Sequence, residues 1–257
     1  MEYIELNIED RVGTITLNRP EKRNALNFEL VSELKGAFTL LEDDQNVKVI
    51  VLKAKGPAFC AGADLAYLQK LQEFSFEENL LDSKHLKELF LKIYTLKKVV
   101  VAQVQGNAIA GGCGLASVCD FAFTVPEAMF GYTEVKIGFV PAIVLVFLLR
   151  KIGEGFASHL LLSGELISAD EACRMGMVNK VVPTEKLEES VLAFVTKLLV
   201  ENSSQAMAAT KQMIAKVQAM PLEDALNFAA EMNARARSSD DCQKGIRAFL
   251  NKQKLAW

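Results

Sequence analysis

Histidine is scarce in this chain and cysteine is scattered. The two histidines, His85 and His159, each lie in a helical stretch where a surface or packing role is expected. The five cysteines are odd in number and no pair has the spacing of zinc ligands, so we interpret them as reduced thiols of a cytosolic protein. The sequence therefore argues against a metal site and against Ser–His acyl-enzyme chemistry.

Phosphate-binding motifs, long apolar runs and an excess of charge are also missing. No Gly-x-Gly-x-x-Gly, no Gly-Lys-Ser/Thr and no Gly-x-Ser-x-Gly elbow occurs. The net charge of −3 predicts no nucleic-acid partner. The most apolar run, residues 137–149, is too short and interrupted to span a bilayer, and the N-terminal residues alternate like a strand rather than a leader. We expect a cytoplasmic protein without a membrane partner.

Strand and helix patterns alternate over most of the chain. Period-two alternation and β-branched runs predict strands at 3–8, 12–17, 47–54, 98–105, 121–124 and 178–182. Helical spacing occurs at 27–41, 65–71, 85–96, 111–118, 145–152, 155–162 and 169–175. The polar segment 72–84 is predicted to be mobile. Beyond Leu187 the pattern is helical almost throughout, so we expect an α/β core over 1–195 and a helical region over 196–257.

Two segments share one design, a strand followed by a glycine turn and the start of a helix. They are residues 48–65 and 99–116. The first N–H groups of a helix have no partner within it and lie at the positive end of its dipole. Two such starts on adjacent parallel strands would converge on one oxyanion, and the N–H groups of Ala61 and Gly111 are the candidates. Glycines that only permit close helix–strand packing would explain one such segment better than two.

A carboxylate is the remaining candidate for acid–base chemistry. Glu134 lies in an apolar stretch of sequence, whose members are Met129, Phe130, Ile137, Phe139 and Val140. Apolar surroundings disfavour the charged form and raise a carboxyl pKa, which suits a proton shuttle near neutral pH. A surface ion pair between Glu134 and Lys136 explains the same residues equally well.

Five motifs, in this order and spacing, resemble the crotonase superfamily of enoyl-CoA hydratases and isomerases. They are NRPEKRNAL at 18–26, AFCAGADL at 58–65, GNAIAGGCGLASVCD at 106–120, MFGYTEVKIGFVP at 129–141 and LLSGELISADEACRMGMVNKVV at 161–182. The resemblance covers essentially the whole chain. It implies an α/β fold, a spiral of ββα units, with C-terminal helices that build a homotrimer or a homohexamer.

The resemblance also implies a substrate and its binding residues. The substrate would be an acyl-CoA thioester whose carbonyl oxygen accepts from Ala61 and Gly111, with no cofactor because coenzyme A is part of the substrate. Basic side chains suit the CoA phosphates. The implied contacts of the substrate are Lys22, Arg23, Ala25, Ala63, Asp64 and Leu65, although Asp64 by its position is interpreted as largely structural.

One position departs from the family pattern. Hydratases of the family commonly hold a water with two glutamates; the second matches Glu134, and the first falls at Gly114. The space at Gly114 would then hold water, a substrate branch or another side chain. The stretch 134–153 resembles methylglutaconyl-CoA and related branched-acyl hydratases, so a one-glutamate hydratase is favoured over a Δ3,Δ2-enoyl-CoA isomerase. A catalytically silent acyl-CoA-binding scaffold is the third alternative.

Several polar residues near these motifs have plainer interpretations. Asp120 follows a helix and precedes a strand, so it is expected to bind backbone N–H groups. Cys113 and Cys119 have no basic neighbour in sequence that would lower a thiol pKa. The acids between Glu73 and Asp82 are expected on a solvated face, although one could fold over the pocket and replace the missing carboxylate.

Overall fold

A hairpin opens the chain in the computed structural model, which describes residues 1–257. Strands β1 (Ile4–Glu9) and β2 (Val12–Leu17) pair antiparallel, as the alternation predicted. The two-residue turn holds Asp10 and Arg11 at φ 47° and 67°. Two successive positive φ values give the turn twist that matches paired strands. The hairpin forms one edge of the larger sheet.

A strand, a second strand and then a helix repeat along the chain. Strands β3 (Val49–Ala54), β5 (Val99–Val104) and β7 (Phe121–Thr124) extend β2 in parallel, and β10 (Lys180–Val181) closes the sheet. A second sheet stacks β4 (Ala58–Cys60), β6 (Asn107–Ile109) and β8 (Met129–Gly131) in parallel, with β9 (Leu166–Ser168) antiparallel at its edge. Because each turn adds one strand to each sheet, the chain winds as a spiral of ββα units, as predicted.

Helices follow the strands and then continue alone. They are α1 (Phe28–Asp43), α2 (Leu65–Leu71), α3 (Phe76–Thr95), α4 (Gly111–Val118), α5 (Ala142–Ser163), α6 (Ala169–Arg174), α7 (Leu187–Glu201), α8 (Ser204–Val217), α9 (Leu222–Arg237) and α10 (Asp240–Leu250). The two helical stretches predicted at 145–152 and 155–162 lie on either side of a kink in α5 at Gly153, whose φ of 75° and ψ of 167° are not helical. Short 3-10 helices occur at Pro20–Lys22, Glu134–Ile137 and Thr184–Lys186.

The segment 72–84 is more regular than its composition predicted. Helix α3 already begins at Phe76, because Ser75 and Glu78 form a reciprocal capping box. Asp82 accepts a hydrogen bond from the Tyr67 hydroxyl on α2. Asp82 is therefore engaged within the fold, and the carboxylate expected to be solvated has a protein partner.

The core lies between the two sheets and the helices that follow them. A single cluster of 55 buried apolar residues runs from Ile4 to Leu198 and includes none from α8 to α10. The proposed boundary at 195/196 falls inside α7, whose Val195 and Leu198 are buried, and the division into two regions stays a prediction. None of the helices is both long and apolar enough to cross a bilayer. The cytoplasmic location stays a prediction.

Candidate active site

The carboxyl ends of β4, β6 and β8 meet at one edge of the smaller sheet. These strands are parallel neighbours, with Cys60 opposite Ala108 and Ile109 opposite Gly131. The residues that follow each strand therefore lie at the same edge of the sheet. The sheet edge brings together the turn at residues 61–64, the start of α4 at Gly111 and the short helix that begins at Glu134.

The turn after β4 leaves two N–H groups without an oxygen acceptor, those of Gly62 and Ala63, and the Gly62 N–H faces the buried Cys60 thiol. The Ala61 N–H donates to the Arg23 carbonyl at 3.0 Å and is not available to a ligand, so Ala61 is wrong as an oxyanion donor. Asp64 N–H is also taken, by the Leu26 carbonyl at 2.9 Å. The N–H of Ala63 between them donates to no protein acceptor, nor does that of Gly111. The candidate pair of donors is therefore Ala63 and Gly111.

Glycines allow these two backbone segments to touch. A Cβ added to Gly62 would lie 2.9 Å from the Cβ of Ala110 and 3.6 Å from the nitrogen of Gly111. A Cβ added to Gly112 would overlap the carbonyl oxygen of Cys60 and lie 2.7 Å from its carbon. Both positions must be glycine because the two backbone segments approach so closely. This close packing does not compete with an oxyanion site, because it also brings the free N–H groups of Ala63 and Gly111 to the same place.

Ala110 holds strained backbone at the start of α4. Its φ of 51° and ψ of −125° lie outside the regions that L-residues favour, at the residue immediately before Gly111. The Ala110 N–H donates to the Gly131 carbonyl at 2.7 Å, which ties this strained residue to the end of β8. Strain of this kind persists where the surrounding structure enforces it, and it is concentrated at functional sites.

Glu134 supplies the only carboxylate at this sheet edge that lacks a partner. Its Oε2 atom is buried and accepts no hydrogen bond. Burial raises the pKa of the Glu134 carboxyl; its own backbone N–H opposes this shift without cancelling it, and no ionised neighbour contributes. Lys136 is exposed and forms no ion pair with it, so the surface-pair interpretation is wrong.

The burial of Glu134 comes from different residues than the sequence suggested. Ile137, Phe139 and Val140 are exposed, whereas Cys113 and Tyr132 are fully buried and lie close enough for the Glu134 charge to raise their pKa. The Tyr132 hydroxyl is 3.1 Å from the Ser117 hydroxyl. The polar groups behind Glu134 thus satisfy one another and leave its carboxylate free.

The two cysteines near the site are not reactive thiols. Burial raises the pKa of Cys113 and of Cys119 to about 12 in each case. A thiol with such a pKa has almost no nucleophilic thiolate at neutral pH. This agrees with the interpretation made from their uncharged sequence neighbours.

Gly114 does not open a space for substrate. A Cβ at this position would overlap the Val144 Cγ1 atom, lie 2.9 Å from the Val144 Cβ and lie 3.0 Å from Cε1 of Phe90. The space holds another residue's side chain, which was one of the three possibilities. Gly114 is therefore wrong as a substrate-binding residue, since helices α3 and α5 pack against it.

The loop at residues 19–26 lies against the turn at 61–64. The Leu26 N–H donates to the Gly62 carbonyl at 2.7 Å, and the Arg19 guanidinium bonds both Asp64 and the Ala25 carbonyl, at 2.8 and 2.9 Å. Asp64 also caps α2 through the N–H groups of Ala66 and Tyr67. Both Asp64 oxygens are thus engaged, which agrees with its structural interpretation.

The pKa of the Asp64 carboxyl is lowered by the same hydrogen bonds. Burial alone would raise the pKa of this carboxyl, but the hydrogen bond from Arg19 and the two backbone N–H groups outweigh burial and lower it. The Arg19 and Asp64 side chains are only 12% and 8% exposed, so this ion pair is shielded from solvent. It fixes the turn that carries the Ala63 N–H.

Most predicted CoA contacts lie on this joined loop and turn. Lys22, Arg23 and Leu65 are exposed, Leu65 at 79%, whereas Ala25 is buried and Ala63 is at the turn itself. Sequence reasoning missed Asn24, which is fully buried and donates to the Lys55 and Ala58 carbonyls at 2.8 and 2.9 Å. Its φ of 54° gives the reason, because asparagine tolerates this left-handed conformation better than most residues.

A prominent cavity lies elsewhere in the chain. It has a volume of about 740 Å³ and lies at the other end of α4, between α5 and α8, with Lys151, Lys211 and Trp257 among its lining residues. None of the predicted site residues lines it. Asp120 in its wall accepts from the Val100 N–H at 2.7 Å, as predicted, and from Lys211 at 2.6 Å, so the charges there serve to attach α8 to the core.

In this α/β fold, one edge of the smaller sheet thus brings together two N–H groups without an acceptor, at Ala63 and Gly111, and the Glu134 carboxylate, whose buried Oε2 has no hydrogen-bond partner. The family model for enoyl-CoA hydratase/isomerase matches residues 7–257. The chain belongs to this family.

Individual relatives are similar in sequence to this protein along almost its whole length. A Thermus thermophilus protein described as an enoyl-CoA hydratase is 43% identical, covering 94% of this chain and 95% of the relative. A crotonyl-CoA hydratase of Syntrophomonas wolfei is 34% identical over 98% and 96% of the two lengths. The crystal structure of a Mycobacterium smegmatis enoyl-CoA hydratase superposes with a TM-score of 0.93 at 32% identity, covering 99% and 98%. The predicted fold is thereby confirmed, and among the family's activities hydration is favoured.

Proposed function

We propose that this protein adds water across the double bond of a 2-enoyl-CoA thioester. The observation that carries the proposal is the meeting of two free N–H groups, at Ala63 and Gly111, with the unpartnered buried carboxylate of Glu134 at one sheet edge. Preorganised donors aimed at a developing oxyanion are usually the largest single contribution to such catalysis.

Each group has a role in this reaction. Glu134 takes a proton from water as the oxygen bonds to the β-carbon, and the thioester oxygen then carries enolate charge between Ala63 and Gly111. The same carboxyl returns the proton to the α-carbon, so the atoms of one water are added and Glu134 is regenerated. A carboxyl whose pKa is raised by burial is well matched to this exchange, because it accepts and releases a proton closer to neutral pH.

Binding of the thioester uses the surfaces on either side of this site. The exposed Lys22 and Arg23 suit the CoA phosphates, and the backbone at Ala63 and the exposed Leu65 lie on the adjoining turn. The exposed apolar side chains of Ile137, Phe139 and Val140 directly follow Glu134 and suit an acyl chain. The resemblance of 134–153 to branched-acyl hydratases supports a branched or methylglutaconyl-like acyl group, and position 114 adds no room for the branch.

Isomerisation of a 3-enoyl-CoA is the second candidate. The observation that favours it is the single carboxylate, because moving one proton between two carbons of the substrate needs one base and no water. A non-catalytic acyl-CoA scaffold has less support, since a buried carboxylate without a partner costs stability that binding alone does not require.

The reactions are distinguished by absorbance. Hydration of a 2-enoyl-CoA removes the conjugated thioester absorbance, whereas isomerisation of a 3-enoyl-CoA creates it. We expect loss of absorbance with a panel of linear and branched 2-enoyl thioesters. A gain with 3-enoyl thioesters and no loss with any 2-enoyl thioester would establish isomerisation instead, and no change with either panel would contradict both.

We further propose that the C-terminal helices assemble the protein into a homotrimer or a homohexamer. In the single chain α9 has no buried residue and α10 has only Ala248. Large apolar side chains there remain exposed, namely Leu222, Leu226, Ile246, Phe249 and Leu250. Several large exposed apolar side chains on two neighbouring helices favour an interface with another subunit. Sedimentation that finds a monomer at micromolar concentration would contradict the assembly.

A further inference from the structure

Three helices meet at Gly114 without leaving room for a side chain. Gly114 is buried on α4, and the atoms facing it are Val144 of α5 and Phe90 of α3. A Cβ built at Gly114 would overlap the Val144 Cγ1 atom, and it would lie 2.9 Å from the Val144 Cβ and 3.0 Å from the Phe90 Cε1. Carbon atoms that are not bonded prefer roughly 3.5–4.0 Å. Any side chain at 114 must therefore displace Val144.

Val144 cannot move aside easily. It is only 4% exposed, and a β-branched side chain within a helix has one strongly preferred rotamer. Its neighbour Phe90 is fully buried and packs near Phe147 with ring centroids 6.0 Å apart. The volume beside Gly114 is thus fixed by α3 and α5.

This volume adjoins the proposed reaction site. Gly114 lies three residues after Gly111, and residues at this spacing share one face of a helix. Cys113, between them, lies close enough to Glu134 to be affected by its charge. Position 114 thus lies one turn from the Gly111 N–H, on the same side of α4 as residue 111.

We propose that Val144 is the residue that restricts this site to one carboxylate, because it fills the volume that an acidic side chain at position 114 would occupy. The inference rests on the proposed acyl-CoA chemistry and deepens it. With an aliphatic side chain there, no second carboxylate holds the reacting water, and Glu134 acts alone. Val144 thereby determines how many carboxylates act in the reaction, although it need not touch the reacting atoms.

The behaviour of Glu134 agrees with this. Desolvation raises the pKa of its carboxyl, and no second ionised group contributes to the shift. Two close carboxylates would instead influence each other and give two coupled ionisations. The number of ionisations in the pH profile therefore reports directly whether the site holds one carboxylate or two.

The test is a set of four proteins: the native chain, Gly114→Glu, Val144→Gly and the double variant. We expect Gly114→Glu to lower Tm by roughly 2–12 °C, as overpacking does in a chain of this size. The double variant should melt above Gly114→Glu, because the overlapping atoms are gone. Gly36→Glu is the matched control, since Gly36 is an exposed helical glycine with nothing within 4 Å, and its Tm should not fall.

Activity separates a role in mechanism from a role in packing. We expect the double variant to hydrate a short linear 2-enoyl-CoA at least about tenfold faster than Val144→Gly, since general acid–base assistance typically contributes roughly 10²–10⁴. Its profile of kcat/KM against pH should show one ionisation more than that of the native protein.

Three results would overturn the proposal. Gly114→Glu could melt within about 1 °C of the native protein, which would show that the volume is free. The double variant could be no more stable than Gly114→Glu, which would show that Val144 is not the obstacle. The double variant could also regain stability without faster hydration and without a further ionisation in its pH profile. Val144 would then have a role in packing only. A native protein inactive on every enoyl-CoA would contradict the proposed function, and the melting data would still stand.

Discussion

Gly112 controls the distance between the two N–H groups of the site. A Cβ at this position would overlap the Cys60 carbonyl oxygen and lie 2.7 Å from the carbonyl carbon and 2.8 Å from the Cys60 Cβ. These are atoms of a buried strand and cannot rotate away as the tip of a side chain could. Gly112→Ala must therefore push the start of α4 away from β4.

The size of the movement follows from the contact distances. Restoring the carbon–carbon distance from 2.7 Å to roughly 3.5 Å requires at least about 0.8 Å of displacement, and the overlapping carbonyl oxygen requires more. A hydrogen bond of about 2.9 Å lengthened by this amount exceeds the range in which N–H···O bonds form. The variant should thus lose most of the contribution of one oxyanion donor, which is roughly 10²–10³ in kcat, or about 2.7–4 kcal/mol.

The assay is kcat and kcat/KM with a 2-enoyl-CoA, alongside thermal melting. Gly155→Ala is the matched control, because Gly155 is helical, exposed and has nothing within 4 Å of an added Cβ. It should keep native activity. A folded Gly112→Ala variant with native kcat would refute the assignment of the oxyanion site to the contact between β4 and α4.

Glu134→Gln should lower kcat by roughly 10²–10⁴, the usual worth of a general acid–base group, and native turnover in the folded variant would remove Glu134 from the mechanism. Burial raises the pKa of the Glu134 carboxyl, so this group stabilises the fold below the pKa of the unfolded chain, and the contribution is lost as pH rises through the pKa of the folded protein. The stability of the glutamine variant relative to the native protein should therefore rise with pH. Melting at several pH values checks this. Arg19→Ala should cost up to about 3–5 kcal/mol at neutral pH by leaving Asp64 unpaired in a shielded position. Since the pKa of Asp64 is lowered in the folded state, that cost should shrink as pH falls through the folded value, and urea titrations giving a pH-independent difference would contradict the ion pair. Phe249→Glu on the exposed face of α10 should shift sedimentation toward the monomer, and an unchanged sedimentation coefficient would place the interface elsewhere.

Local patterns were sufficient for the larger elements of the fold. The β-branched run at 98–105 predicted a strand buried on both faces, and β5 is such a strand. The helix at 111–118 was predicted with its bounds, because its glycines and small residues are followed by a strand. The first half of α3 was missed although its capping box, Ser75 and Glu78, is local, since the polar composition of 72–84 outweighed it.

The short strands of the smaller sheet could not be predicted from local pattern. β6 and β8 have three residues each, which is too short for a recognisable alternation. They exist because their backbone groups pair with neighbours that the larger sheet has already aligned. These same strands place Gly111 and Glu134 at one edge, so the geometry of the site depends on the part of the fold that was least visible in the sequence.

The sequence by itself was sufficient to recognise the family, to predict the two glycine-bearing helix starts and to single out Glu134 as the candidate carboxylate, because these depend on residue types at fixed spacings. Only the tertiary structure decided which N–H group is free, since the partner of Ala61 is the Arg23 carbonyl, 38 positions earlier in the chain. It also decided what fills the space at Gly114, since Val144 comes from another helix. Hydrogen-bond partners and packing volume are set by neighbours in space, and no spacing along the chain encodes them.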